Sequence, residues 1–190
     1  MRPARGVFMS FTESFSTPAG AVAQSLGFVA MLLAFFIFAF RDRRKILVSK
    51  LIADALWAVH YFLLGAYSGA TVNTVNMFRE GVFYQKGKKK WAGSAFFPIF
   101  FICANLFFTF ISWQGPISLL PMLGASCLCI CLWNSNTTRL RFLALPGQIL
   151  WLVYAILVAS VPSIIFDVIS VLSLLWAIFR DLREQGRTKK

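Results

Sequence analysis

The chain has 190 residues, 58% of them hydrophobic and only 14% charged, with 21 phenylalanines and a mean hydropathy of +0.71. Ordinary soluble domains carry about 25% charged residues, so a soluble globular fold is excluded and an integral membrane protein is expected. The net charge of +12 does not imply a nucleic-acid partner, because the basic residues stand in short clusters between apolar segments.

In chain order, residues 1–22 read as a flexible periplasmic leader. It is polar up to about Pro18 and lacks the order of a signal peptide, and Met9 is an alternative start. Seven segments then approach the roughly 20 mostly apolar residues that a membrane span requires. They are Ala23–Phe40, Ile46–Leu64, Ala66–Phe83, Trp91–Ile111, Ile117–Trp133, Leu140–Val158 and Val161–Phe179.

The basic clusters are Arg41 to Lys45, Lys86 to Lys90, Arg139 with Arg141, and the tail from Arg180 to Lys190. All of them follow odd-numbered spans. The opposite connections, Gly65–Ala66, Ser112–Pro116 and Ala159–Ser160, hold no Lys or Arg. Basic residues are retained in the cytoplasm, so the N-terminus is expected outside and the C-terminus inside, across a bacterial inner membrane. The clusters are also placed to touch anionic lipid head groups.

An internal repeat organises the polar residues. Asp54 and Gln148, Trp57 and Trp151, His60 and Tyr154, Asn73 and Asp167, and Asn76 and Ser170 pair at one constant offset of 94 positions. Polar groups within spans persist where a bundle interior or a wet cavity receives them, and a repeat that supplies them twice suggests two half-bundles facing one site. A three-helix copy ends on the side opposite its start. An intervening fourth helix therefore lets the second copy insert in the same sense as the first.

The fold class expected is thus an all-α membrane protein with seven transmembrane helices, as two parallel three-helix bundles joined by a linker helix. Residues 23–85 form the first repeat, 86–115 the basic loop and linker helix, 116–180 the second repeat, and 181–190 a basic cytoplasmic tail.

Three stretches carry a family resemblance: Phe40-Arg41-Asp42-Arg43-Arg44, HYFLLGAYSGATVN from His60 to Asn73, and LLPMLG from Leu119 to Gly124. Over about Gly27 to Arg183 the chain resembles the YgjV family of bacterial inner membrane proteins. Through that family it is similar to the SWEET and PQ-loop carriers, which share the three-plus-one-plus-three plan and an asparagine on the third helix of a copy. The resemblance implies a central pocket lined by paired asparagines and tryptophans, for which Asn73, Asn76, Trp57 and Trp151 are the matching types. This chain departs from those carriers in having no Pro-Gln dipeptide. The candidate hinge prolines Pro121, Pro146 and Pro162 are confined to the second copy, and Asp167 or Ser170 stands where the second asparagine is expected.

On the second span Asp54, Trp57 and Tyr61 share a stripe with His60 at its edge, and on the third Asn73, Asn76 and Glu80 share a face. Amides and hydroxyls suit a neutral polar solute, and tryptophan adds a flat wall. The leading expectation is a carrier of a small polar solute, sugar-like or similar, by alternating access. Trp57, Asn73, Asn76, Trp151, Asp167 and Ser170 would bind the solute, with Asp167, Asp54 and His60 as candidates for proton coupling.

The plainer alternative is that Asn, Ser and Gln merely fasten helices, each worth on the order of 1 kcal/mol or less, with Asp54 paired to Lys50. That would suit a non-transporting scaffold or partner protein. A third reading is a lipid-acting intramembrane enzyme using His60 with Asp54 or Asp167. No soluble-enzyme motif occurs, so an enzyme is not expected, and neither is a cofactor. Cys127, Cys129 and Cys131 alternate sides of a helix, which argues against a metal site, and Cys103 is read like them as apolar packing. Trp91, Trp113 and Trp133, at span ends, are interface anchors. The partners expected are membrane lipid and the solute, with a homo-oligomer left open.

Overall fold

The computed structural model describes residues 11–37, 43–86, 88–133 and 137–188. Among them there is no strand. A single turn, α1 (Glu13–Ser16), precedes seven longer helices: α2 (Pro18–Ile37), α3 (Arg43–Leu63), α4 (Tyr67–Gln85), α5 (Phe96–Ile111), α6 (Leu119–Trp133), α7 (Thr137–Leu157) and α8 (Val161–Thr188). Among the described residues, three helical segments are long and apolar enough to cross a membrane: Pro18–Phe36, Pro116–Trp133 and Val161–Arg183. Helices α5 and α7 carry shorter apolar segments, Phe96–Ile111 and Arg141–Leu157. At 21 and 19 residues, α3 and α4 are each close to 30 Å long at about 1.5 Å per residue.

Two boundaries differ from the expected spans. Helix α2 begins within the segment read as a flexible leader, because Thr17 caps it: the Thr17 hydroxyl accepts the Gly20 amide at 3.2 Å, and Pro18 fills the first helical position. Helix α8 runs on through the basic tail to Thr188. Hydropathy marks where a helix leaves hydrocarbon, whereas a helix ends only where something terminates it.

The repeat extends to the backbone. Helix α7 spans the residues of α3 shifted by 94 positions, from 43–63 to 137–157, and α8 starts at the counterpart of the α4 start. The turns match as well. Gly65 donates to Phe62 O and Ala66 to Tyr61 O, while Ala159 donates to Ile156 O and Ser160 to Ala155 O. Both turns use the left-handed backbone, with φ of 74° at Gly65 and 54° at Ala159. This is a paired closure of the last helical carbonyls that glycine normally favours.

Neighbours in sequence pack together along α2, α3 and α4 and again along α6, α7 and α8, with α2 against α8 and α4 against α6. Helix α5 packs on α4 and α6. The core is mainly aromatic and small side chains: Trp57, Tyr61, Trp151 and Tyr154 with Ala23, Ala30, Ala66, Ala70 and Ala125. The outward faces are apolar too, among them Phe96, Phe100, Phe107 and Phe110 on α5 and Leu172, Trp176 and Phe179 on α8, as befits a surface facing lipid rather than water. Trp91 and Trp113, at the span ends, are exposed, and Lys86 lies 3.6 Å over the Trp133 ring.

One buried region is poorly satisfied. Asn105 on α5 is 0% exposed, and neither amide atom has a hydrogen-bond partner; the buried Thr109 hydroxyl one turn on also lacks one. A buried polar group without a partner costs about 1–3 kcal/mol. Asn105→Leu is therefore expected to raise the melting temperature of the purified protein in detergent, whereas a fall would mean that the amide makes a stabilising contact there.

Candidate functional site

A cavity of about 310 Å³ lies inside the bundle, walled by α2, α3, α4, α6, α7 and α8. Helix α5 contributes none of its lining. Its volume is at the low end of the roughly 300–1,000 Å³ typical of small-molecule sites. From α3 and α4 come Asp54, Trp57, Asn73 and Asn76; from α7 and α8 come Gln148, Trp151 and Asp167. Three of the five pairs spaced by 94 positions thus place both members on the wall. Ser170, the counterpart of Asn76, is half-buried outside it, and His60 and Tyr154 lie beyond its inner end.

The mouth lies at the end of the bundle that carries the basic connections, where Lys50, with its side chain 30% exposed, and the exposed Leu132 form part of the wall. Four buried or half-buried charges meet there. Lys50 Nζ is 3.2 Å from Asp54 Oδ2 and 3.5 Å from Glu80 Oε1, while Arg79 Nη2 donates to Glu80 Oε1 at 2.9 Å. Arg79 is 1% exposed, and its Nε has no partner. Two cations and two carboxylates balance.

Sequence reading did not single out Arg79. An arginine inside a span is itself a signal, but it has no charged counterpart at the repeat offset, where Ser173 stands.

Deeper in, four rings run one into the next: Phe166 and Trp57 with centroids 6.2 Å apart, Trp57 and Tyr61 at 6.1 Å, and Tyr61 and Trp151 at 5.9 Å. All four line the cavity. Asp167, 5% exposed, accepts a hydrogen bond from the Gln148 amide, and no Lys or Arg pairs with it among the described residues. Asn73 turns its amide N–H back to Gly69 O at 2.9 Å, an intrahelical contact. Asn76 is different: its Oδ1 is buried without a hydrogen-bond partner.

The inner end is shut by a layer of hydrogen bonds. Tyr61 and Ser163 hydroxyls lie 2.8 Å apart, and Tyr154 OH accepts the Gly69 amide at 2.9 Å and meets the Ser68 hydroxyl at 3.1 Å. His60 is 0% exposed, and both ring nitrogens are engaged. Nδ1 donates to Ala23 O at 2.7 Å, which leaves Nε2 to accept from the Ser160 hydroxyl at 2.7 Å in the neutral ring. Gln24 donates to Ala159 O at 2.8 Å, and Gln114 to Gly65 O at 2.7 Å. Polar side chains here tie the ends of α2, α3, α4 and α7 to the turns.

Among the described residues no three His, Cys, Asp or Glu side chains come together to hold a metal ion. Cys129 and Cys131 are buried on α6, and the Cys129 thiol faces Pro98 O at 3.7 Å.

No curated protein and no solved structure matches this chain. A family model described as bacterial inner membrane protein, Imp-YgjV, matches residues 21–185, nearly the whole of the helical bundle. The chain therefore belongs to the Imp-YgjV family of bacterial inner membrane proteins.

Proposed function

We propose that this protein carries a small polar solute across the bacterial inner membrane by alternating access, with its N-terminus outside and its C-terminus in the cytoplasm. The orientation rests on the basic connections. In this reading α2–α4 and α6–α8 are two parallel half-bundles, α5 is the linker between them, and the solute binds at their seam. The plan is that of the SWEET-type carriers.

The observation that carries the proposal is the cavity, walled by polar and tryptophan side chains from both repeats, shut at one end and opening beside Lys50 at the other. With the basic end in the cytoplasm, this arrangement is an inward-facing state. The Tyr61–Ser163 and Tyr154–Ser68 contacts then form the outer gate. Those contacts would have to part in the outward-facing state while the mouth closed.

A scaffold would have no use for an internal cavity of this size. A lipid-acting enzyme would need His60 in one pocket with a carboxylate, and the His60 ring nitrogens are bound to Ala23 and Ser160 instead. Reconstituted into proteoliposomes, the protein is expected to take up its solute. Asp167→Asn should reduce uptake by about tenfold or more, since a hydrogen bond to a charged group is worth about 1.5–3 kcal/mol, and Asn76→Ala by roughly two- to tenfold, as for a neutral bond of about 0.5–1.5 kcal/mol. Unchanged uptake in both variants would remove the cavity from transport.

A further inference from the structure

One acid on the cavity wall has no cation beside it among the described residues. At the mouth Lys50 and Arg79 are matched by Asp54 and Glu80 through contacts of 2.9–3.5 Å. Asp167 is the remaining ionisable acid on the wall, and it is buried with the Gln148 amide as its hydrogen-bond partner. A carboxylate within a membrane bundle is expensive unless it is protonated, hydrated or accompanied by opposite charge, and a bound cation would supply that charge. The surroundings of Asp167 are also selective. Phe166, Trp57, Tyr61 and Trp151 line the same space, and aromatic rings attract cations, tryptophan most strongly. The free Asn76 Oδ1 adds an acceptor, and a cation is a donor or a source of polarised C–H groups.

Building on the carrier reading, we propose that the solute is a small monovalent organic ammonium cation, seated between Trp57 and Trp151 with Asp167 as its counter-ion. The cavity of about 310 Å³ has room for such a molecule. The balanced ion pairs at the mouth let it pass without net repulsion from Lys50 or Arg79. A neutral sugar would leave Asp167 without a counter-charge, and an organic anion would add to its repulsion.

The test uses the full chain in lipid nanodiscs, with choline as probe. Its uncharged carbon isostere, in which a tert-butyl group replaces the trimethylammonium head, has the same shape. Choline is expected to raise the melting temperature in a saturable manner, because a ligand of the folded state stabilises it, and the isostere is not. Asp167→Asn should weaken choline binding on the order of 30-fold or more, as for truncation of one partner of a buried charge pair. Trp57→Leu keeps the wall apolar without a ring face and leaves Asp167 in place, so it serves if the first variant folds poorly; a loss of roughly threefold or more is expected.

Equal stabilisation by the isostere, no effect of choline, or full choline binding in both variants would overturn the assignment. Transport is read separately, as choline and glucose uptake by proteoliposomes. Choline binding without uptake would sink the carrier reading and leave the cation site standing. Glucose uptake without choline binding would sink the cation site and leave the carrier.

Discussion

Glu80→Leu is expected to be the most damaging single substitution among the charges, more so than Arg79→Met, although the two residues are bonded to each other. The asymmetry follows from their partners. Glu80 Oε1 is 2.9 Å from Arg79 Nη2 and 3.5 Å from Lys50 Nζ, so removal of Arg79 leaves it a cation. Arg79 has Glu80 alone as a bridged carboxylate among the described residues, plus a long contact of 3.5 Å to Ala125 O. Removal of Glu80 therefore strands a guanidinium that is 1% exposed.

Breaking a buried pair from one side typically costs about 3–5 kcal/mol, because the other charge stays behind unpaired, while replacing both by apolar groups is often neutral or better. Glu80→Leu should reach that range and Arg79→Met should fall short of it. The double variant should recover most of the loss, since Lys50 keeps Asp54 at 3.2 Å. Thermal unfolding and monodispersity in one detergent provide the cycle. A double variant that loses as much as the two single variants added together would mean that Arg79 and Glu80 act independently.

The same cluster explains what sequence reading could and could not see. The lens was repetition, and it found side chains present in both copies: Trp57 and Trp151, Asp54 and Gln148, Asn73 and Asp167 all stand on the cavity wall. At the repeat offset, however, Lys50 corresponds to Ala144, Arg79 to Ser173 and Glu80 to Leu174. The ionic mouth has no charged counterpart at that offset; helical spacing pointed to the Asp54–Lys50 pair and to Glu80, and Arg79 alone of the four was passed over. The opposite failure occurred at His60 and Tyr154. They are paired by offset, yet one position along a helix is about 100° of rotation. That rotation, with their place nearer the turns, puts both among the fasteners of the closed end. Ser170 departs for a different reason: it shares the α8 face of Ser163, Phe166 and Asp167, but it lies one turn further along, half-buried and outside the cavity wall.

Helix termini at the ends of apolar stretches were legible, Ile111 and Trp133 to the residue, whereas the start of α2 and the end of α8 run past the hydropathy. Gly65 and the matching Ala159 set the ends of α3 and α7 within a residue or two. The basic tail contains no proline, and its residues continue α8, where Arg141 of α7 pairs with Asp181.

The crossing of α6 and α7 offers the strongest packing test. Two glycines meet there: a Cβ built at Gly147 would lie 2.9 Å from the Gly124 carbonyl oxygen, and one at Gly124 would lie 3.0 Å from the Gly147 oxygen and 2.8 Å from Trp151 Cδ1. Backbone cannot move aside as a flexible side chain can, and small residues at membrane helix crossings are what permit such close approach. Overfilling a packed site costs about 1–3 kcal/mol, and Gly147→Val, adding a branched side chain against backbone, should reach or exceed the top of that range.

The consequence is also functional. Gly147 and Trp151 are one turn apart on α7, so pushing α7 off α6 moves Trp151, and with it the wall of the cavity. Gly147→Val should thus lose solute binding even under conditions where it remains folded. Gly81 provides the opposing control on α4, since a Cβ there meets nothing within 4 Å. In a helix interior alanine is preferred over glycine by roughly 0.5–1 kcal/mol, so Gly81→Ala should raise the melting temperature while leaving solute binding as it was. If Gly147→Val behaved like Gly81→Ala, α6 and α7 could not be crossing at Gly124 and Gly147, and the position assigned to Trp151 on the cavity wall would go with that crossing.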